Sequence, residues 1–327
     1  MNRTALLATT AVAALALAGC ASTPAAESTD DTISIVASTN VYGSIAEAIG
    51  GDLVSVTSII DSATQDPHSF EASAQDQLAL SKADIVIENG GGYDPFIDAL
   101  LEAGSSTAHV VNASEASGLL EGDDHAHEGE EEHAEEEHSE EEHAEDDGHN
   151  HIEGFNEHVW YSLHGMEHVA EHIAEELVEL DAGNAATYEQ NLAAFVAGIE
   201  GLEAEAEALH ATTEGLGAAI TEPVPLYLLE AAGLTNLTPA DFSEAIEEGT
   251  DVPPLALSET LALFENGEVS LLAYNSQTAS PETERVREAA EAAGVPVVEF
   301  GETLPDGADY LSWMTDNLRA IAASLEE

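Results

Sequence analysis

The chain has 327 residues, enough for two ordinary domains, because single domains mostly run to about 100 to 200 residues. Its formal charge of -61 at pH 7, with Lys82 as the only lysine, excludes nucleic acid as a partner and disfavours anionic ligands. Cations are favoured instead. Such self-repulsion also predicts a salt-adapted source, in which dissolved ions screen the charge.

Residues 1–19 have the form of a secretory signal peptide. Arg3 precedes an apolar run from Ala5 to Ala18 that is too short to span a bilayer as a mature helix. Leu17-Ala18-Gly19-Cys20 then resembles the bacterial lipobox, in which the cysteine becomes the lipid-bearing first residue. Cys20 is the only cysteine, so internal disulfides are excluded. We expect a lipid anchor on Cys20 and a flexible tether over residues 20–31.

The next stretch alternates predicted strands with predicted helices. Strands are expected over residues 33–37, 53–60, 84–88 and 109–111, and helices over residues 42–49, 74–81 and 95–102. Alternation at this spacing predicts a mostly parallel sheet with helices on both faces.

An acidic, histidine-rich tract occupies residues 118–155. Between Glu121 and Asp147 there are sixteen carboxylates and no Lys or Arg. The histidines of the tract are His125, His127, His133, His138, His143, His149 and His151. So little apolar surface cannot form a core, whereas imidazoles suit zinc, copper and nickel. The tract predicts a loop that collects metal ions weakly, and the alternative is an acidic spacer with incidental histidines.

An amphipathic helix is predicted over residues 163–180 and contains a possible catalytic motif. His168, Glu171 and His172 match H-x-x-E-H, the zinc motif of inverted zincin metallopeptidases. At 100° per residue these side chains and His164 lie opposite the apolar stripe, on the face that meets water. A solvated face is therefore favoured, with a zinc metallopeptidase as the alternative.

The longest helical pattern covers residues 184–213 and predicts one helix on the order of 45 Å long. Such a helix can cross the back of two lobes. We therefore expect an N-terminal α/β lobe over residues 32–182, a connecting helix over residues 183–214 and a C-terminal α/β lobe over residues 215–327.

The second half repeats the alternation and carries polar residues where its strands end. Strands are predicted over residues 218–221, 269–274 and 295–300, and helices over residues 226–232, 257–266, 282–293 and 309–325. The polar residues that follow these strands are Glu222, Asn275, Gln277 and Glu302. Ligands of open α/β sheets bind outside the carboxyl ends of the strands. His68 also follows a strand, so we expect it to meet Glu222 and Glu302 in a cleft, with His158 joining from the end of the acidic tract.

Four motifs then give the chain a family resemblance. They are Gly50-Gly51-Asp52, Asp66-Pro67-His68-Ser69-Phe70-Glu71, Asn89-Gly90-Gly91-Gly92-Tyr93-Asp94 and His158-Val159-Trp160. With the lipobox, the two lobes and the acidic loop, the chain resembles the bacterial zinc- and manganese-binding solute-binding lipoproteins of ABC transporters. The resemblance implies that His68 and His158 are metal ligands and that Glu302 occupies the position of the final carboxylate ligand. Many zinc-binding members have a third histidine where this chain has Glu222.

The expected function is capture of Zn²⁺ by His68, His158, Glu222 and Glu302 and its delivery to an ABC permease by a monomeric, non-enzymatic protein. Asn275 and Gln277 are expected to orient the ligands. Manganese is the alternative cargo, because two carboxylates make a harder ligand set than three imidazoles. A metal-dependent adhesin or storage protein is a further class. Imidazole must be neutral to bind, so uptake should fail as pH falls through roughly 6.5.

Overall fold

Two four-stranded parallel sheets organise the computed structural model, which describes residues 32–62, 65, 67, 70–104, 106–121, 152 and 154–326. The strands are β1 (Ile33–Thr39), β2 (Val54–Ile60), β3 (Ile85–Glu88), β4 (His109–Asn112), β5 (Leu216–Ile220), β6 (Leu234–Asn236), β7 (Val269–Tyr274) and β8 (Val297–Glu299). The first sheet has the order β2-β1-β3-β4 and the second has the order β6-β5-β7-β8. All of the strand pairs are parallel.

Helices flank both sheets, and one long helix lies between the two halves in sequence. They are α1 (Asn40–Gly50), α2 (Ala74–Leu80), α3 (Pro95–Ala103), α4 (Ala113–Ala116), α5 (Leu163–Leu180), α6 (Ala185–Thr213), α7 (Leu226–Ala231), α8 (Ala240–Glu247), α9 (Pro254–Asn266), α10 (Pro281–Ala293) and α11 (Tyr310–Leu325). At 1.5 Å per residue, α6 spans about 44 Å. Among the helices of the described ranges, none combines the length and apolarity needed to cross a membrane. The predicted α/β class, with two parallel sheets and a long helix between them, is confirmed.

The first βα unit illustrates why the sequence folds in this way. Ile35, Val36 and Ala37 of β1 are all buried, as expected for a parallel strand covered on both faces. Helix α1 ends at Gly50 and Gly51, and Gly51 has a φ of 55° that favours glycine. A Cβ on Gly50 would lie only 2.3 Å from Val54 Cγ1, so the following strand can approach closely only because this residue is glycine.

One hydrophobic core includes residues from both halves of the chain. Tyr42, Trp160 and Tyr161 of the first half are buried in the same cluster as Tyr310 and Trp313 of α11. Within it, Tyr310 Oη donates a hydrogen bond to Trp160 O at 2.7 Å. Further clusters pack on each sheet separately. Helix α11 therefore anchors the second half to the first through buried aromatic contacts.

Some short elements were not predicted from the sequence. Helices α4 and α8 and strand β6 are new, and the structure also begins α9 at Pro254 rather than at Leu257. The predicted signal segment 1–19, the tether 20–31 with Cys20 and the seven histidines of the acidic tract lie outside the described residues. The expectations for them, and the lobe boundaries, stay predictions.

Candidate metal centre

Three buried polar residues follow three neighbouring strands of the second sheet. Glu222 comes two residues after β5, Asn275 directly after β7 and Glu302 three residues after β8. Their exposed fractions are 2%, 3% and 1%. Because β7 lies between β5 and β8, Asn275 is the residue placed to reach the side chains on either side. The parallel topology therefore gathers these groups at one edge of the sheet.

The Asn275 amide holds the two carboxylates together. Its Nδ2 donates to Glu222 Oε2 at 2.7 Å and to Glu302 Oε1 at 2.8 Å. The Thr278 hydroxyl also donates to Glu222 Oε2. These donors are neutral, so the bonds orient the carboxylates without cancelling their charge. The arrangement suits a cation, because carboxylate oxygens are ligands that divalent metal ions accept.

Gln277 extends this network toward the first half of the chain. Its Oε1 accepts a hydrogen bond from Glu302 N at 2.7 Å, and its Nε2 donates to Gln65 O at 3.3 Å. Gln65 lies three residues before His68. His68 itself lies outside the described residues, so its role as a ligand stays a prediction.

Tyr93 connects Glu302 to His158. The Tyr93 hydroxyl donates to Glu302 Oε2 at 3.0 Å, and its ring centroid lies 5.8 Å from that of His158 in an edge-on arrangement. Burial, reinforced by the charge of Glu302, raises the pKa of Tyr93 well above its ordinary value. The phenol is therefore a neutral donor at any physiological pH.

The glycine run before Tyr93 makes its position possible. Gly90, Gly91 and Gly92 have φ values of 70°, 66° and 101°, in the left-handed region that side chains disfavour. A Cβ on Gly91 would lie 2.7 Å from Phe155 Cε1. Both the backbone conformation and the close packing against the segment that precedes His158 therefore require glycine.

His158 is fully buried and held in one orientation by Asn156. Asn156 Oδ1 lies 2.7 Å from His158 Nδ1 and accepts from His158 N at 3.2 Å. Asn156 Nδ2 donates to Pro223 O at 3.1 Å, beside Glu222. Because Oδ1 is an acceptor, His158 Nδ1 carries the proton and Nε2 carries the lone pair of the ring. Asn156 thus fixes the histidine tautomer and bridges to the second half of the chain.

Two further carboxylates near His158 were not predicted from the sequence. Glu157, His158 and Glu247 offer ligand atoms that all lie within 4.8 Å of one another, and Glu247 Oε1 is 3.6 Å from His158 Nδ1. Glu247 ends α8, a helix that the sequence analysis missed. Nothing in the local sequence distinguishes it from the neighbouring glutamates.

The H-x-x-E-H motif lies on an exposed face of α5, as predicted. The side chains of His168 and Glu171 are 41% and 48% exposed, and His172 is exposed as well. The opposite face, which includes Met166, Val169 and Ile173, is buried. The exposed face that carries the motif lacks the enclosed geometry of a peptidase site.

Comparison with known proteins places the chain among the metal-binding substrate-binding proteins of ABC transporters. It belongs to the family described as zinc-uptake complex component A, periplasmic, whose model matches residues 35–324. This confirms the resemblance predicted from the motifs. It also confirms that the chain is a binding protein rather than an enzyme, because the family consists of substrate-binding components.

Curated relatives and solved structures cover most of the chain. The manganese ABC transporter substrate-binding lipoprotein ScaA of Streptococcus gordonii is 27% identical over 96% of this chain and 96% of its own length. The iron ABC transporter substrate-binding lipoprotein MtsA of Streptococcus pyogenes serotype M1 is 26% identical over 74% of this chain and 76% of its own. The structure of the periplasmic zinc-binding protein TroA from Treponema pallidum matches with a TM-score of 0.69 and 17% identity, covering 90% of this chain and 99% of that one.

Proposed function

We propose that the chain captures Zn²⁺ through His68, His158, Glu222 and Glu302 and delivers it to an ABC permease. The observation that carries this proposal is the Asn275 amide, which holds Glu222 and Glu302 together at the edge of the second sheet. Tyr93 and Asn156 link this pair to His158 through hydrogen bonds and ring contacts. Two imidazoles and two carboxylates supply the four ligands that Zn²⁺ takes in proteins.

Zinc is proposed over manganese because of the histidines. Imidazole is a borderline ligand, and a given site with nitrogen donors binds zinc more tightly than manganese. Manganese is the second candidate, favoured by Glu222 in place of a third histidine, since carboxylates suit harder ions. The names of the relatives do not decide between the two, because they specify manganese, iron and zinc.

The location and partners follow from the proposed role. The relatives ScaA and MtsA are lipoproteins of ABC transporters. With the lipobox at Cys20, this supports a protein anchored outside the cytoplasmic membrane that transfers its ion to a permease in that membrane. The histidine-rich tract would raise the local concentration of zinc near the cleft.

Competitive titration of the metal-free protein with Zn²⁺ and Mn²⁺ tests the proposal. We expect one tight zinc ion whose affinity falls sharply in H158A and in E302Q, with H172A as the control on an exposed face. A preference for manganese in the parent chain would favour the second candidate. Several weak sites and no tight one would instead indicate storage or adhesion.

The same titration separates the cleft from the acidic tract. Because His68 is proposed as a ligand of the tight ion, whereas the tract is expected to collect ions only weakly, H68A should weaken tight binding far more than deletion of residues 123–149. Equal losses from both changes would contradict this division of roles.

A further inference from the structure

A pair of histidines on the exposed face of α5 has the geometry of a metal site outside the proposed cleft. His164 and His168 are four residues apart, so their side chains are neighbours on the helix surface. Their Nε2 atoms lie 3.3 Å apart, and their ring centroids lie 4.6 Å apart. Two nitrogens bound to one tetrahedral Zn²⁺ at about 2.0–2.1 Å lie about 3.4 Å from each other. The observed separation therefore already fits two ligands of one ion.

The other ring nitrogens face carboxylates. His168 Nδ1 lies 3.2 Å from Glu171 Oε2, and His164 Nδ1 lies 3.9 Å from Glu167 Oε2 and 4.0 Å from Glu203 Oε1. Histidines that bind metals usually direct the second N–H to a carboxylate. The His168 contact is short enough for such a hydrogen bond, whereas the carboxylates near His164 act at longer range, through their charge. The 3.3 Å between the two Nε2 atoms is also the length of an N–H···N hydrogen bond in which one ring donates to the other, and a bound ion would take the place of that proton.

The surroundings of the pair favour a cation. Glu203 belongs to α6 and lines, with His164, Glu200, Glu207 and His210, a groove of about 530 Å³ between α5, α6 and α7. His164 is the second residue of α5, where the helix dipole opposes a bound cation. The negative charge of the surrounding carboxylates offsets this opposition. The side chains of His164 and His168 are 58% and 41% exposed, so an ion can reach them directly from solvent.

We infer that His164 and His168 form a second, solvent-open site for a divalent transition-metal ion such as Zn²⁺, Ni²⁺ or Cu²⁺. The two Nε2 atoms bind the ion, and water completes its coordination. Glu171, Glu167 and Glu203 orient the imidazoles and supply negative charge. The H-x-x-E-H motif then has a binding role that uses its first histidine and the residue one turn earlier, rather than a catalytic one.

Carbethoxylation of the full-length protein, mapped by mass spectrometry of its peptides, tests this site separately from the histidine-rich tract. With Zn²⁺ titrated into the metal-free protein, His164 and His168 should become several-fold less reactive with one shared midpoint. His172 lies one turn further along the exposed face of α5 and should keep its rate. In H168A, the protection of His164 by zinc should disappear.

The protection of His164 and His168 by zinc does not depend on the proposed cleft, so the same protection is expected in H158A. The site is refuted if His164 and His168 remain as reactive as His172 at saturating zinc. It is also refuted if H168A leaves the protection of His164 intact, or if zinc protects His172 equally, since these outcomes indicate unspecific attraction to an acidic helix. Circular dichroism of each variant verifies that the fold is retained.

Discussion

A single residue, Asn275, holds the carboxyl groups of Glu222 and Glu302 close together. One side-chain nitrogen donates to both Glu222 and Glu302, at 2.7 Å and 2.8 Å. Two further hydrogen bonds hold Asn275 itself in place. Its backbone N–H donates to Thr221 Oγ1, and its Oδ1 accepts from the backbone N–H of Gln277, both at 2.9 Å. The carboxylates are therefore positioned before an ion arrives.

Replacing Asn275 with alanine removes the shared donor while leaving all the proposed ligands in place. We expect zinc affinity to fall by about 10- to 100-fold, as is typical when a group that orients ligands is lost. Isothermal titration of the metal-free protein measures the change. Asn266→Ala, at the exposed end of α9, is the matched control. An unchanged affinity in N275A would show that the carboxylates do not need this amide.

Glu88 is a buried carboxylate that is not part of the proposed centre. It ends β3, is 7% exposed and accepts a hydrogen bond from Asn112 Nδ2 at 2.9 Å. Burial, reinforced by the charge of Asp94, raises the pKa of Glu88 from 4.5 to about 7. The folded protein therefore keeps a proton here that the unfolded chain releases. The resulting loss of stability begins near pH 4.5 and is complete above pH 7.

Glu88→Gln keeps an acceptor for Asn112 and carries no charge at any pH. At pH 8 we expect it to raise the free energy of unfolding by on the order of 2 kcal/mol, with little effect near pH 4.5. Urea denaturation of the metal-free protein at the two pH values measures this difference. Glu102→Gln, on the exposed side of α3, should show no comparable pH dependence. An equal gain from E88Q at both pH values would rule out the titration of Glu88 as its cause.

The residues of the centre were predictable only where the sequence carried a distinctive signal. Glu222, Asn275 and Glu302 were predicted because polar residues directly follow apolar strands, and the structure gathers all three. Asn156 and Glu247 were missed. Asn156 bridges to Pro223 O, which is distant in sequence, and Glu247 comes close to His158 only through the packing of α8. Contacts between distant segments leave no pattern in the local sequence.

Long periodic segments gave the most accurate predictions of helices and strands, although the short elements α7 and β8 were also predicted. Helices α5 and α6 have long apolar stripes and were predicted to within one residue of their observed bounds. Strand β6 has three residues, of which only Leu234 is buried, and α8 has eight residues after Pro239. Such short segments are formed by packing against the rest of the fold rather than by their own propensity.

Two glycines in α6 provide a matched test of how this helix packs. A Cβ on exposed Gly201 meets nothing within 4 Å, whereas a Cβ on Gly198 would lie 2.5 Å from Leu311 Cδ1 of α11. Gly201→Ala should raise the free energy of unfolding by about 0.5–1 kcal/mol, because alanine loses less backbone entropy in a helix. Gly198→Ala has the same advantage but displaces Leu311, so its gain should be smaller or negative.

Chemical denaturation of the two glycine variants beside the parent chain measures the difference. The comparison is internal, since both substitutions lie in one helix, three residues apart. Equal stabilisation by both would mean that α6 and α11 are packed less closely than the structure indicates.

At the scale of the whole molecule, charge opposes the packing that joins the two halves. The aromatic core around Trp160 and Tyr310 holds the halves together. The chain carries a formal charge of -61, and Arg287 and Arg319 pair with acidic residues on their own helices. Repulsion among exposed carboxylates therefore acts across the surface and favours the expanded, unfolded chain. This surface charge was evident from composition, whereas the contact between α11 and the first half was not, because it joins residues about 150 positions apart.

Salt should therefore stabilise this protein markedly. The screening length falls from about 10 Å at 0.1 M salt to about 3 Å at 1 M, so raising NaCl across this range should raise the melting temperature of the metal-free protein. Replacing exposed Glu189 and Glu205 of α6 with glutamine should raise the melting temperature at low salt and reduce its dependence on salt, because both changes remove repulsion. Differential scanning calorimetry measures both effects.

A melting temperature that stays constant or falls between 0.1 M and 1 M NaCl would show that packing, and not charge, limits the stability of the fold.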